Sequence, residues 1–322
     1  MYIEDLKFSL WADFIERDYL DNEFKELIAK GIINGATSNP AIFKNAILNS
    51  SAYKEQLAKL EGLTPKEKYE AVAIYDIKKA ADILKPLYDR EDDGYVSIEV
   101  DPFLCDDADA TIAEGKRLFK EIDRANVMIK VPATEAGYIA MKALTSVGIP
   151  VNATLIFKKE QAVACATAFR EGVATFGAKV DTVISIFVSR IDAKLATLGI
   201  DDSLSGIYNS ADIYAEIESM KVNGCRALFA STGIKDKSLP VHYYVEKLLA
   251  YNSVNTAPID TIMAYYENGA KEKALPISSD VIQAYFEKVK SAGVDFDAVL
   301  DEQILGGLEA FKDAFKDIME SL

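Results

Sequence analysis

The 322-residue sequence predicts an α/β fold in which eight parallel strands, each followed by helix, close into a (β/α)₈ TIM barrel. Three observations lead there. Short apolar runs alternate with amphipathic stretches from end to end; the alternation occurs eight times; and polar residues recur on one face of the strands, close to their C-terminal ends. An open doubly wound sheet is the rival arrangement, but it normally gathers a site at one crevice only.

The first strand is read at Phe8–Asp13, where period-two alternation puts Trp11 and Asp13 on one face. The second, Ile33–Ser38, runs into Asn39-Pro40. After it comes a charged helical stretch, Lys44–Arg90, longer than a minimal barrel needs and read as a helical insert. In Tyr95–Val100 the β-branched Val96, Ile98 and Val100 suit packing under helices, which turns Ser97 and Glu99 to the opposite face. A helical stretch Ala108–Ala125 leads to Val127–Val131, with Met128 and Lys130 on one side. Helix Gly137–Ser146, strand Pro150–Leu155 (Asn152 and Thr154 together), helix Lys159–Phe176 and strand Thr182–Phe187 (Ser185 with Phe187) follow. Ala227–Ser231 and Val254–Thr256 complete the eight strands, with a helix at Val241–Ala250 between them.

From Pro276 the tail reads as two or more helices that pack across the barrel. The last, Gln303–Leu322, carries Leu305, Leu308, Phe311, Phe315 and Met319 at helical spacing, a stripe expected to pack on the barrel wall. No Pro-, Gly- or Ser-rich linker divides the chain, so residues 1–322 are read as one domain with additions at about 44–90 and 276–322.

Composition narrows the function. A formal net charge of −15 argues against broad contact with nucleic acid or an anionic membrane, both of which want a basic face. Cys105, Cys165 and Cys225 lack the close spacing of a disulfide framework or zinc motif. His242 is the sole histidine, which argues against a His-based triad and a multi-histidine metal site. No glycine-rich phosphate loop occurs. The N-terminus lacks the basic-then-apolar order of a signal peptide, and no apolar run reaches membrane-spanning length, so a cytoplasmic location is expected. No unmistakable interface stripe marks an assembly; a monomer or homodimer is the expectation.

Lys130 is the most informative residue. It interrupts Asn126-Val-Met-Ile-Lys-Val-Pro132, a strand of the buried parallel kind in which charge is costly. Partial desolvation disfavours the ammonium form, and a neutral amine is a nucleophile toward ketones. A lysine snorkelling from a strand end is the ordinary alternative. Context favours the first. In a barrel the shared inner face leads to the C-terminal mouth, where Asp13, Asn39, Glu99, Lys130, Asn152, Thr154, Ser185, Ser231 and Asn255 would converge. Singly, each has a bland explanation: Asn39 a turn, Asp13 or Ser231 a helix cap, Thr154 an ordinary strand threonine. So many at the same end of successive strands do not.

The chemistry that such a set supports is attack of Lys130 on a ketone, giving a carbinolamine and then an iminium that drains electrons from a breaking carbon–carbon bond. One base must take a hydroxyl proton from the departing fragment, and a second acid/base must serve dehydration and hydrolysis. Glu99 and Asp13 are the candidate carboxylates. Asn39, Asn152 and Ser185 suit sugar hydroxyls, and Arg190, just past its strand, suits a phosphate, though a surface salt-bridge arginine is the bland reading.

These residues also carry a resemblance. Gly35-Ala-Thr-Ser-Asn-Pro-Ala-Ile-Phe43 and Val127-Met-Ile-Lys-Val-Pro-Ala-Thr-Glu-Ala-Gly137 resemble the two signatures of the transaldolases. Leu10-Trp-Ala-Asp-Phe14, Val151–Phe157, Ile184–Ile191, Leu228–Asp236 and Ser253–Pro258 are similar to further family segments in the expected order. The resemblance implies a barrel that transfers a dihydroxyacetone unit, within the pentose phosphate pathway, from sedoheptulose 7-phosphate or fructose 6-phosphate to glyceraldehyde 3-phosphate or erythrose 4-phosphate. It implies no metal and no organic cofactor, and small sugar phosphates as the partners. It assigns Lys130 to the Schiff base, Asp13 to the hydroxyl proton in cleavage, and Glu99 with Thr154 to the catalytic water. Asn39, Asn152 and Ser185 fall on donor-binding positions, Phe187 lines the pocket, and Arg190 matches a phosphate-binding arginine. Ile186 and Ser189 depart from the proline and glycine common in the family, and the Ala230–Asp236 loop is longer than usual. This places the chain near the Trp-x-Asp, Ser-Thr-Gly-x-Lys branch, with Lys235 as the candidate for the second phosphate-binding cation and Ser231 as a further substrate-binding candidate. A fructose 6-phosphate aldolase, a sulfosugar transaldolase and a non-catalytic sugar-phosphate-binding barrel are the alternatives.

Overall fold

A computed structural model describes residues 2–234 and 238–322. Eight parallel strands close a barrel: β2 (Phe8–Ala12), β3 (Gly35–Ala36), β4 (Val96–Glu99), β5 (Val127–Pro132), β6 (Val151–Ile156), β7 (Thr182–Phe187), β8 (Cys225–Ala230) and β9 (Ser253–Ala257). Each pairs with the next, and β2 pairs with β9 through Trp11↔Thr256 and its neighbours, which shuts the ring. A two-residue strand, β1 (Tyr2–Ile3), adds antiparallel to the start of β2.

Two cores follow from strand alternation. The outer one lies between barrel and helices and includes Leu10, Val96, Ile98, Val127, Ile129, Val131, Ile184 and Phe229. The inner one, within the barrel, includes Trp11, Tyr95, Met128, Val183, Leu228 and Val254. Below them the floor is polar but paired. Arg226 makes a two-pronged bridge to Asp93 at 2.9 and 3.1 Å, and the Trp11 indole donates to the same carboxylate at 2.7 Å. Gly35 is required where it stands, because a Cβ there would lie 2.6 Å from the Trp11 indole nitrogen. That close approach helps explain why the expected strand Ile33–Ser38 contributes only Gly35–Ala36 to the ladder.

The insert forms helix Pro40–Asn49, a short helix Lys54–Ala58 and a 25-residue helix Pro65–Asp89. The last begins where sequence physics puts a start: Thr64 and Glu67 form a reciprocal capping box, and Pro65 occupies the first turn. Helix Lys159–Phe176 falls on the expected residues, whereas the helix expected at Val241–Ala250 shrinks to Tyr243–Lys247.

The tail forms two helices that pack across the barrel, as expected, but the last differs in start and placement. Its last helix starts at Phe296 and runs to Ser321, and it crosses the mouth of the barrel instead of lying along the wall. Lys158 and Lys194, beyond β6 and β7, bridge to Asp301 and Glu302, each at 2.7 Å. Lys44, beyond β3, bridges to Asp317 at 2.5 Å. Gly307 permits the crossing, since a Cβ there would meet the Leu155 side chain at 2.9 Å. Phe311 and Phe315 of the expected stripe are buried, but Leu305 is 66 % exposed and belongs to the outer face.

Candidate active site

Register does the positioning. Glu99 of β4 pairs with Lys130 of β5, and Lys130 pairs with Asn152 of β6, so three inward side chains stand at one level. Lys130 is 5 % exposed. Its amine donates to the Ser38 carbonyl at 3.1 Å, sits 3.7 Å from the Glu99 carboxylate, and faces the ring of Phe311 at 5.6 Å. The snorkelling alternative is therefore wrong: the lysine points into the barrel.

Around it runs a hydroxyl and amide network. Ser185 donates to the Asn152 carbonyl oxygen at 2.6 Å, and the Asn152 amide donates to Ser97 at 3.0 Å. Asp13, half-buried just past β2, accepts from the Thr37 hydroxyl at 2.7 Å, and Thr37 is 2.7 Å from the Thr256 hydroxyl. Glu99 and Thr154 are different. Both are buried, yet neither Glu99 carboxylate oxygen nor the Thr154 hydroxyl has a hydrogen-bond partner among the described residues. Unpaired buried oxygens cost free energy, and these are the acceptors of the site that keep unused bonding capacity. The backbone beside Thr154 is also unusual. β6 shifts register against β7 between Ala153 and Ile156, and Leu155 takes a left-handed φ of +61°. For a leucine that conformation costs on the order of 1–3 kcal/mol.

Electrostatics follow from burial. Desolvation raises the Glu99 pKa to about 7 from 4.5, more than the attraction of Lys130 lowers it, and Asp13 adds to the rise. Asp13 is also raised, again by burial first, against the opposing pull of Lys130, the Thr37 hydrogen bond and Arg190. Arg190 is half-buried against the Phe187 ring, 5.2 Å from guanidinium to centroid; burial lowers its pKa and Asp13 opposes the drop. The guanidinium has no ion-pair partner among the described residues.

Other expected residues fall in several places. Phe187 is inside, 5.3 Å from the ring of Phe157. Asn39 caps helix Pro40–Asn49 by accepting from the Ile42 amide at 3.0 Å, so the bland reading of a local structural role holds for its side-chain oxygen. Ser231 caps no helix among the described residues; it leaves β8 at φ +55° and its hydroxyl lies 3.0 Å from that of Ser189, the residue before Arg190. Lys235 lies outside the described residues. Asn255 does not converge on the site: it pairs with Leu10 and Phe229 on the outer face and accepts from Thr232 at 2.8 Å. Thr256 takes the inner place. Thr37, Thr256 and Phe311 are the members that strand-by-strand reading passed over; Ser97 was turned inward with Glu99 but given no role. Among the described residues no three His, Cys, Asp or Glu side chains gather as a metal would require. No helix among them is long and apolar enough to cross a membrane.

A buried lysine and two carboxylates at a barrel mouth are an arrangement that comparison can place. The family described as Transaldolase/Fructose-6-phosphate aldolase matches residues 10–322. The chain belongs to that family. A transaldolase of Helicobacter pylori (strain Shi470) is 43 % identical over 319 residues, covering 98 % of this chain and 99 % of that protein. A transaldolase of Campylobacter jejuni subsp. jejuni serotype O:23/36 (strain 81-176) is 45 % identical over 326 residues, with the same coverage. The family match spans seven of the barrel strands and most of β2 and extends through the tail helix that crosses the mouth.

Proposed function

We propose that this chain is a transaldolase, moving a dihydroxyacetone unit from a ketose phosphate to an aldose phosphate through a Schiff base on Lys130. One observation carries the reading: a buried lysine amine 3.7 Å from a carboxylate whose pKa is raised to about 7. Near neutrality such a carboxyl gives and takes protons with comparable ease, as imine formation and hydrolysis both demand.

The steps follow from the residues. The Lys130 amine adds to the donor's ketone carbon, and the carbinolamine loses water with Glu99 supplying the proton and Thr154 orienting the water. Asp13 takes the proton from the hydroxyl on the β carbon of the iminium. The bond between the α and β carbons then breaks, an aldose phosphate departs, and an enamine remains on Lys130. The enamine carbon attacks the incoming aldehyde, Asp13 returns the proton, and hydrolysis frees the new ketose. Asn152 and Ser185 hold hydroxyls, and Arg190 beside Ser231 meets the phosphate with charge-assisted hydrogen bonds. Sedoheptulose 7-phosphate or fructose 6-phosphate as donor and glyceraldehyde 3-phosphate or erythrose 4-phosphate as acceptor suit this geometry, which belongs in the pentose phosphate pathway. The transaldolase relatives, matched over nearly their whole length, support transfer over simple aldol cleavage.

The test is borohydride trapping with fructose 6-phosphate followed by peptide mass mapping. A reduced three-carbon adduct on Lys130, absent in Lys130→Met, is the expected result. No adduct on any lysine, with donor binding demonstrated independently, would remove the proposal. An adduct accompanied by free dihydroxyacetone but no transfer to erythrose 4-phosphate would make the chain an aldolase.

A further inference from the structure

Helix Phe296–Ser321, from outside the barrel and its loops, brings a side chain close to Lys130. It is tied down on both sides of the mouth, through Asp301 and Glu302 to the β6 and β7 side and through Asp317 to the β3 side. At its far end Lys68 donates to the Leu322 carbonyl oxygen at 2.5 Å. Between these ties Phe311, 5 % exposed, turns its ring toward the Lys130 amine at 5.6 Å and joins Leu155, Phe157 and Phe187 in one buried apolar cluster. Lys130 therefore has two unlike surroundings. Glu99 and the Ser38 carbonyl approach from the barrel wall, and an aromatic face approaches from the mouth.

The difference matters for the intermediate. Resting on the transaldolase reading above, the enamine on Lys130 has two fates. Its nucleophilic carbon can form a bond to the acceptor's aldehyde carbon, whose oxygen becomes an alkoxide and takes the proton from Asp13. Or the same carbon can take a proton from water, giving the iminium of dihydroxyacetone; water then adds to the C=N carbon, the carbon–nitrogen bond breaks, and dihydroxyacetone leaves with the amine restored. Water is needed at the imine carbon, on the side of Glu99 and Thr154. At the nucleophilic carbon it is a competitor.

We propose that Phe311 determines this partition. Its ring keeps water off the mouth side of the enamine and, being apolar, offers the nucleophilic carbon no proton. A side chain from the tail thereby sets whether the barrel transfers or merely cleaves.

The experiment compares the unsubstituted protein with Phe311→Ala and Phe311→Leu, using fructose 6-phosphate and erythrose 4-phosphate. Free dihydroxyacetone and sedoheptulose 7-phosphate are measured together, and the Lys130 adduct is trapped in parallel. Phe311→Ala is expected to raise the ratio of released to transferred unit by about tenfold or more while still forming the adduct. Phe311→Leu, which keeps most of the apolar bulk, is expected to stay within about threefold. If the melting curve shows the alanine variant to be unfolded, Phe311→Val carries the same test. An unchanged ratio in a folded, adduct-forming variant overturns this inference alone. Absence of the adduct in the unsubstituted protein overturns it together with the transaldolase reading.

Discussion

Glu99→Gln separates what this carboxyl does for catalysis from what it costs the fold. In the unfolded chain Glu99 loses its proton near 4.5; in the barrel it holds on until about 7. Below 4.5 both states are protonated and the group has no effect on stability. As pH rises, the unfolded chain ionises first and is favoured, so the penalty grows until the folded carboxyl ionises as well. Applied to the values 4.5 and about 7, linkage makes Glu99 about 2–3 kcal/mol more destabilising at pH 8 than at pH 5. That figure already contains the attraction of Lys130, 3.7 Å away. Glutamine keeps the shape without the titration. With an unfolding entropy of roughly 2.1 cal/mol/K per residue over 322 residues, Glu99→Gln should gain about 4 °C in melting temperature relative to the unsubstituted protein on going from pH 5 to pH 8. Its kcat should fall by roughly 10²–10⁴. Calorimetry of both proteins across that pH range, with steady-state turnover, is the assay. A melting difference that is flat in pH, or that shrinks as pH rises, would refute the reasoning.

Three further expectations concern neighbouring groups. Arg190→Ala should raise KM for fructose 6-phosphate by roughly 10–100-fold, the worth of a charge-assisted hydrogen bond, with little change for unphosphorylated fructose; equal effects on both sugars would move the phosphate site elsewhere. Thr37→Val removes the hydrogen bond that opposes the burial-driven rise in the Asp13 pKa. If Asp13 is the base, it must be ionised to act, so the acid limb of the kcat profile should move to higher pH; an unmoved limb would separate Asp13 from the rate. Arg226→Ala strands the buried Asp93 carboxylate on the barrel floor. Denaturant unfolding should show a loss of about 3–5 kcal/mol with adduct formation retained under conditions where the variant is folded; a loss under 1 kcal/mol would mean that the floor does not depend on the pair.

What the sequence disclosed, and what it withheld, follows the range of the forces involved. The strand bearing Lys130 was legible because a charge in an apolar run is a local signal, and Glu99, Asn152 and Ser185 followed from alternation. Thr256 was not. A strand buried on both faces has no amphipathic parity of its own, so Val254-Asn255-Thr256 reads equally well either way; the choice is made by register, since Trp11 faces inward and Thr256 stands opposite it. Helical spacing in the tail pointed to Phe311, but also to Leu305, which faces solvent. Which stripe is buried depends on where the helix lands, and that is fixed by Gly307 against Leu155 and by lysines far away in sequence. Asn39 shows the opposite limit: its bland local reading was a turn, and local geometry makes its side chain a helix cap instead.

The chain has a single tryptophan, and Trp11 is fully buried in the strand that closes the ring, opposite Gly35 on one side and Thr256 on the other. Its indole N–H is bound to Asp93 on the floor. Tryptophan emission from this protein therefore has one origin, and that origin is the seam at which the first and last barrel strands meet. A red shift reports the seam opening to water. Loosening of the tail helix over the mouth leaves the indole's floor contacts in place, so the two events can be told apart with no label added.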